Sequence, residues 1–233
     1  MLNETIQIKV KSRLNKNDTL DYPDLPCWTI SEAFNQAQTN FVRSTLQGND
    51  MTKTGAEGSI RRIDDLNILL TEWKPTLTSS DSYYETPTIP ADYLQFNRVS
   101  VMYKTDCCPP RRMVSYLRPV ANVDVLLRDF NERPSDTWGE TFHTISGNKI
   151  QIYTNGEFTL ESPSIVYYRT PRKVEFDGCM DVYTGLPVTT NVTCEFADNI
   201  VELLISDTCA ILAGDIENDF QLSRTTSIAN NNT

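Results

Sequence analysis

The sequence has 233 residues, of which 31 are acidic and 21 basic, for a formal net charge of −10. A chain of that length buries a sizeable core without relying on disulfide staples. Its charge excludes a protein that grips nucleic acid tightly through phosphates, but not one past which a polyanion slides without sticking.

Residues 2–15 fit two patterns. Ile6, Ile8 and Val10 alternate as in a strand, whereas Leu2, Ile6, Val10 and Leu14 recur every four residues as in a helix with Asn3 at its cap. The helix is favoured. The opening M-L-N-E-T-I-Q-I-K-V-K has no apolar h-region, so no export signal is expected, and no run is long enough for a membrane span. Residues 16–27 hold two prolines and three aspartates and read as a loop. Thr29-x-x-Glu32 reads as a capping box, and Ile30, Ala33, Phe34, Ala37, Phe41 and Val42 form one apolar stripe behind it. Residues 47–59 carry three glycines and little apolar bulk, which predicts an exposed loop. A third helix is expected from Ile60, with Ile63, Leu66, Leu69, Leu70 and Trp73 on one face and Pro75 ending it.

The middle changes character. Val99, Val101 and Tyr103 alternate as a strand, Val114 and Tyr116 as a second, with Cys107-Cys108-Pro109-Pro110-Arg111-Arg112 as the hairpin connection. Asn122 is placed to cap a short helix carrying Val123, Leu126, Leu127 and Phe130. Gly147-Asn148 and Asn155-Gly156 are turn signals, the first joining strands at 142–146 and 149–154. A further strand is expected at Ile165–Arg169, and residues 177–191 are rich in turn formers. From Ala197 to Leu222, Ile200, Leu203, Leu204, Ile211, Leu212, Ile216 and Phe220 keep helical spacing. Gly214 either weakens this helix or ends it, with Asp215 capping a second one. Its charged positions are acidic up to Arg224. The tail S-R-T-T-S-I-A-N-N-N-T is polar apart from Ile228.

The predicted class is therefore α+β: a helical bundle, made of N-terminal helices and a long C-terminal helix, with an inserted antiparallel β-sheet region. Its parts are 1–75 helical, 76–192 β-rich with one short helix, 193–222 the returning helix and 223–233 the tail.

Searches for chemistry return little. No glycine-rich nucleotide fingerprint occurs. Lys53-Thr54-Gly55 and Ser146-x-x-Lys149 echo penicillin-binding motifs in the wrong order, and Asp215-x-Glu217-x-Asp219 lacks the glycine of a calcium loop. Six cysteines without C-x-x-C spacing, beside one histidine, form no zinc pattern and are expected to be reduced. His143 is expected at the surface or rim of the sheet; a Cys–His hydrolase is the remote alternative. No catalytic, cofactor or metal residue is assigned. Arg61-Arg62, Arg111-Arg112 and Arg169/Arg172/Lys173 are short basic spots that suit the ends of elements or the acidic surface of a neighbour.

Five phrases in order, W-T-I-S-E-A-F-N-Q-A-Q-T-N-F-V-R (28–43), I-D-D-L-N-I-L-L (63–70), I-P-A-D-Y-L-Q-F-N-R-V (89–99), S-I-V-Y-Y-R-T-P-R-K-V (164–174) and the terminal helix with its tail, resemble head-to-tail connector proteins of short-tailed, crAss-like bacteriophages. The resemblance implies a non-enzymatic virion protein, without cofactor. Such a protein forms a dodecameric ring at the portal vertex, meets the portal and tail or further ring proteins, and extends a channel for DNA without binding it specifically. It implies assembly in the host cytoplasm and no membrane. Another neck or tail ring that does not touch the portal is the nearer alternative. On this reading Asp207, Asp215, Glu217 and Asp219 are candidates for the channel wall, and Arg224 and Ile228 for contact with the portal or a neighbouring subunit. The tail 223–233 is expected to order on that contact, and the loop 47–59 to serve as a contact arm.

Overall fold

The computed structural model describes residues 1–14, 25–47, 64–80, 82–105, 108–181, 184–215 and 226–227. In chain order the elements are α1 (Asn3–Leu14), α2 (Cys27–Gln47), a 3-10 turn (Asn67–Leu69), β1 (Leu70–Trp73), β2 (Thr78–Ser79), β3 (Tyr83–Glu85), β4 (Tyr93–Thr105), β5 (Cys108–Leu117), a second 3-10 turn (Val120–Asn122), α3 (Val123–Arg128), β6 (Glu140–Ser146), β7 (Lys149–Tyr153), β8 (Thr159–Arg169) and α4 (Asp198–Asp215). Two compact units divide the chain: Met1–Ile68 with Pro171–Thr233, and Leu69–Thr170.

In the first unit both α1 and α2 pack on α4. α1 buries Ile6, Val10 and Leu14 and leaves Ile8 in solvent, so the four-residue spacing prevails over the alternation. α2 starts at Cys27, two residues before the Thr29 box, and the amides of Thr29 and Ile30 donate to the Pro26 carbonyl instead. Its apolar stripe (Ile30, Phe34, Ala37, Val42) is buried, as are Ile200, Val201, Leu204, Ile205 and Leu212 of α4.

A second, polar stripe on α2 holds the returning chain. Ser31 Oγ and Asn35 Nδ2 donate to the Val174 carbonyl, Val174 N donates to Asn35 Oδ1, and Gln38 Nε2 donates to the Arg172 carbonyl. Asn3 does the same from α1. It is buried, and its Nδ2 donates to the carbonyls of Glu175 and Val192 and to Asn191 Oδ1. Cys27 and Cys179 form a disulfide, so the expectation of fully reduced cysteines fails. The partners lie 152 residues apart, a separation at which no spacing rule pairs them.

The second unit is one eight-stranded mixed sheet, in the order β1-β8-β4-β5-β6-β7-β3-β2. All pairs are antiparallel except β5 with β6. One face buries Val99, Val101, Met113, Ile150, Ile152 and Ile165. On the other, Leu126 of α3 covers Phe142 and Tyr153, whose rings stack at 4.9 Å. Gly147 and Asn148 both take positive φ (56° and 61°), the backbone that the tight β6–β7 hairpin demands.

The predicted helical bundle with an inserted antiparallel sheet is overturned. Among the described residues the dominant element is this large curled mixed sheet, and helices are few. Three local outcomes explain the error. Of the third helix, residues 60–63 lie outside the described set; residues 64–66 are α-helical and Asn67–Leu69 a 3-10 turn, after which Leu70–Trp73 leaves the helical path and pairs with β8 at Tyr168–Ile165. The short helix at Asn122 is part of a crossover between parallel strands, which makes the sheet mixed. The terminal helix is described to Asp215, with Gly214 inside it.

Candidate interaction surface

The crossover from β5 to β6 builds the surface that stands out. After Leu117 the chain passes through α3 and then an irregular segment, 129–139, before β6 opens at Glu140. That segment is held at several points. Asn131 N donates to Asp129 Oδ1 at 2.9 Å and Arg133 N to the Asp129 carbonyl at 3.0 Å. Ser135 and Glu140 exchange both backbone hydrogen bonds, and Tyr103 OH donates to the Asp136 carbonyl at 3.0 Å. Gly139 closes the turn at φ +66°, where a side chain would be strained.

This tied turn displays Trp138 at 79 % exposure and Phe130 at 76 %, beside Tyr116 of β5 at 47 %. With Arg118, Asn131, Glu132, Arg133, Glu140 and Phe142 they line a groove of about 520 Å³. The Arg133 guanidinium lies 4.9 Å from the Phe130 ring centroid, Arg118 is 3.9 Å from Glu132, and Tyr116 OH donates to Glu140 at 3.4 Å. Three exposed aromatic side chains of this size present on the order of 450 Å², the scale of the largest patch on an ordinary monomer. Because the backbone is already fixed, little ordering cost remains when a partner covers them. Sequence reasoning missed Trp138 altogether and assigned Phe130 to the helical stripe. The available signal was an aromatic directly before a turn glycine, outside any apolar period.

His143 is not at a rim. It is fully buried on β6, its Nδ1 is 2.8 Å from Ser115 Oγ, and its ring lies 5.0 Å from Phe96. Burial drives its pKa down to about 4, so the ring is neutral at pH 7. Its Nε2 is buried without a partner among the described residues. In the β5–β6 register His143 opposes Leu117, at the other end of β5 from Cys108. Cys194 and Cys209 belong to the first unit, and Cys107 lies outside the described residues.

The acidic candidates are placed unevenly. Nearer the start of α4, Asp198 takes the Met1 ammonium at 2.7 Å, and Glu202 pairs with Lys9 and with Arg13, the latter at 2.6 Å. Hydrogen bonds from Lys9 and its charge hold the Glu202 carboxyl below its ordinary range. Asp207 is half-buried on the same helix, and desolvation raises its pKa to about 6. Asp215 is the last described residue of α4, and its side chain lies outside the described set, as do Glu217, Asp219, Arg224 and Ile228. The loop 48–59 and, apart from Thr226 and Ser227, the tail 223–233 lie outside it too.

Asp207→Asn gives a first prediction. The folded state holds that proton more tightly than the unfolded chain, so the wild type loses stability as pH rises from about 4 to 6. Partial exposure reduces the effect of the shift to about 1–2 kcal/mol. The asparagine variant should therefore unfold at higher urea than wild type at pH 7.5 and show no gain at pH 4. Equal midpoints at both pH values count against the desolvated carboxylate.

Compared with protein-family models and with curated proteins, the chain matches none. No helix among the described residues is long and apolar enough to cross a membrane.

Proposed function

We propose that this chain is a structural subunit of a phage virion neck. Copies of it form a ring at the portal vertex, dodecameric by the resemblance, that joins head to tail and extends the DNA channel. The observation that carries the reading is the tied segment at 129–140, which shows Trp138 and Phe130 to solvent beside Tyr116. Side chains of this kind in such a setting are anchors for another protein surface.

Charge distribution supports the same role. Within Leu69–Thr170 ten basic residues stand against twelve acidic ones, and in the rest of the chain eleven against nineteen. A wall made from the more acidic unit repels phosphates and lets DNA pass without specific contacts. Portal, tail and further ring proteins are the proposed partners, assembled in the host cytoplasm. Purified virions should contain the chain, and mixing it with portal protein should give rings visible by negative-stain microscopy. Absence from virions, or a chain that stays monomeric with portal present, overturns the proposal.

A further inference from the structure

Opposite ends of β5 carry complementary chemistry. At one end Pro109 and Pro110 are exposed, followed by exposed Arg111 and Arg112, with Lys104 across the hairpin on β4. Among the described residues β6 pairs with Val114–Leu117 and leaves the outer side of Pro109–Met113 without a strand, and two prolines there offer no N–H to a further strand. Arg112 Nη2 donates to Ser100 Oγ at 2.7 Å, which fixes that side chain on the sheet face. At the other end is the groove of Tyr116, Phe130 and Trp138. Its wall, residues 129–140, carries Asp129, Glu132, Asp136 and Glu140 against Arg133 alone. Arg118 and Arg133 face the same groove, but Arg118 lies against Glu132 and Arg133 over Phe130.

Extended proline segments dock on aromatic-lined grooves because their backbone is preset and their rings lie flat on aromatic faces. Arginines beside them find carboxylates on the rim. One copy cannot use both halves itself, since Pro110 and Tyr116 lie about 20 Å apart along an extended strand.

We propose that Pro109–Arg112 of one copy docks into the Tyr116–Phe130–Trp138 groove of a second copy. The contact joins two different patches, so it repeats head to tail and closes into a ring when its rotation permits. It rests on the ring reading above and names the surfaces that make the ring.

The test uses the full chain under conditions where the wild type assembles, with portal protein if needed, and measures mass by light scattering. A hairpin variant (Arg111→Glu with Arg112→Glu) and a groove variant (Trp138→Ala with Phe130→Ala) alter exposed side chains, and circular dichroism checks that each stays folded. Each alone should associate at least about thirty-fold more weakly, the loss of one interface hot spot. Mixed one to one, each retains the half that the other lacks, so they should form a heterodimer and nothing larger. Variants that assemble like wild type overturn this contact and leave the ring reading standing. A wild type that stays monomeric under every condition overturns both. A mixture that gives no heterodimer, with both variants folded, also overturns the contact.

Discussion

Reducing the Cys27–Cys179 bond should lower the unfolding free energy by about 3–5 kcal/mol, the largest single effect expected for this chain. The bond joins the first residue of α2 to the turn-rich return segment, across 152 residues. Chain-entropy reasoning for a loop that long gives a ceiling of about 5 kcal/mol, and native disulfides usually deliver somewhat less. The folded arrangement should survive the reduction. Asn3, Asn35 and Gln38 still hold residues 172–175 and Val192, and Phe176 remains fully buried. Urea midpoints with and without reductant, together with those of Cys27→Ser, test this. An unchanged midpoint, or thiol labelling that finds both cysteines free in untreated protein, shows that the bond contributes nothing.

Acid should destabilise the second unit through His143 before it reaches the carboxylates. The ring is neutral in the folded state, with its pKa lowered to about 4 by burial, against about 6.5 in the unfolded chain. Between those values the unfolded chain binds more protons, so stability falls as pH drops from 6.5 to 4, by about 3 kcal/mol in all. Glu72, Glu85 and Glu202 have lowered pKa values, so their contributions are present above the ordinary glutamate range and fade only below it. Asp207 acts in the opposite sense over part of the same window. His143→Asn separates these effects, because it offers Ser115 a hydrogen-bonding partner and does not titrate. It should lower stability at pH 7 by about 1–2 kcal/mol through lost volume and flatten the dependence between pH 6.5 and 4. A variant that keeps the wild-type slope assigns the acid sensitivity to other groups.

Much of the secondary structure was legible because its signals are local. α1 and α2 follow from apolar spacing, and the β6–β7 hairpin follows from two residues that tolerate positive φ. What misled was decided at a distance. Leu66, Leu69, Leu70 and Trp73 have helical spacing, yet Thr71, Glu72 and Trp73 become a strand because β8 offers them Tyr167, Val166 and Ile165. No local feature of 108–117 or 140–146 states that β5 and β6 run parallel. His143, on an apparent strand, reads in the sequence as a surface or rim residue of the sheet. The sheet buries both sides there, with Leu126 packed on Phe142 and Phe96 on His143. Of the surface, the basic Arg111-Arg112 spot was visible in the sequence. The groove was not, since it depends on the turn that turns Trp138 outward.

The division of the chain has a consequence for how it is made. Residues 69–170 hold all eight strands of the sheet, so once β8 has emerged to join β1 and β4 the whole sheet can pair while translation continues. The other unit has to wait. Lys9 and Arg13 find Glu202, and the Met1 ammonium finds Asp198, only after α4 has left the ribosome. At about 5–20 residues per second the oldest helices therefore spend on the order of ten seconds or more with bare apolar stripes. A nascent chain cut short before α4 should be the form that chaperones hold and proteases clear.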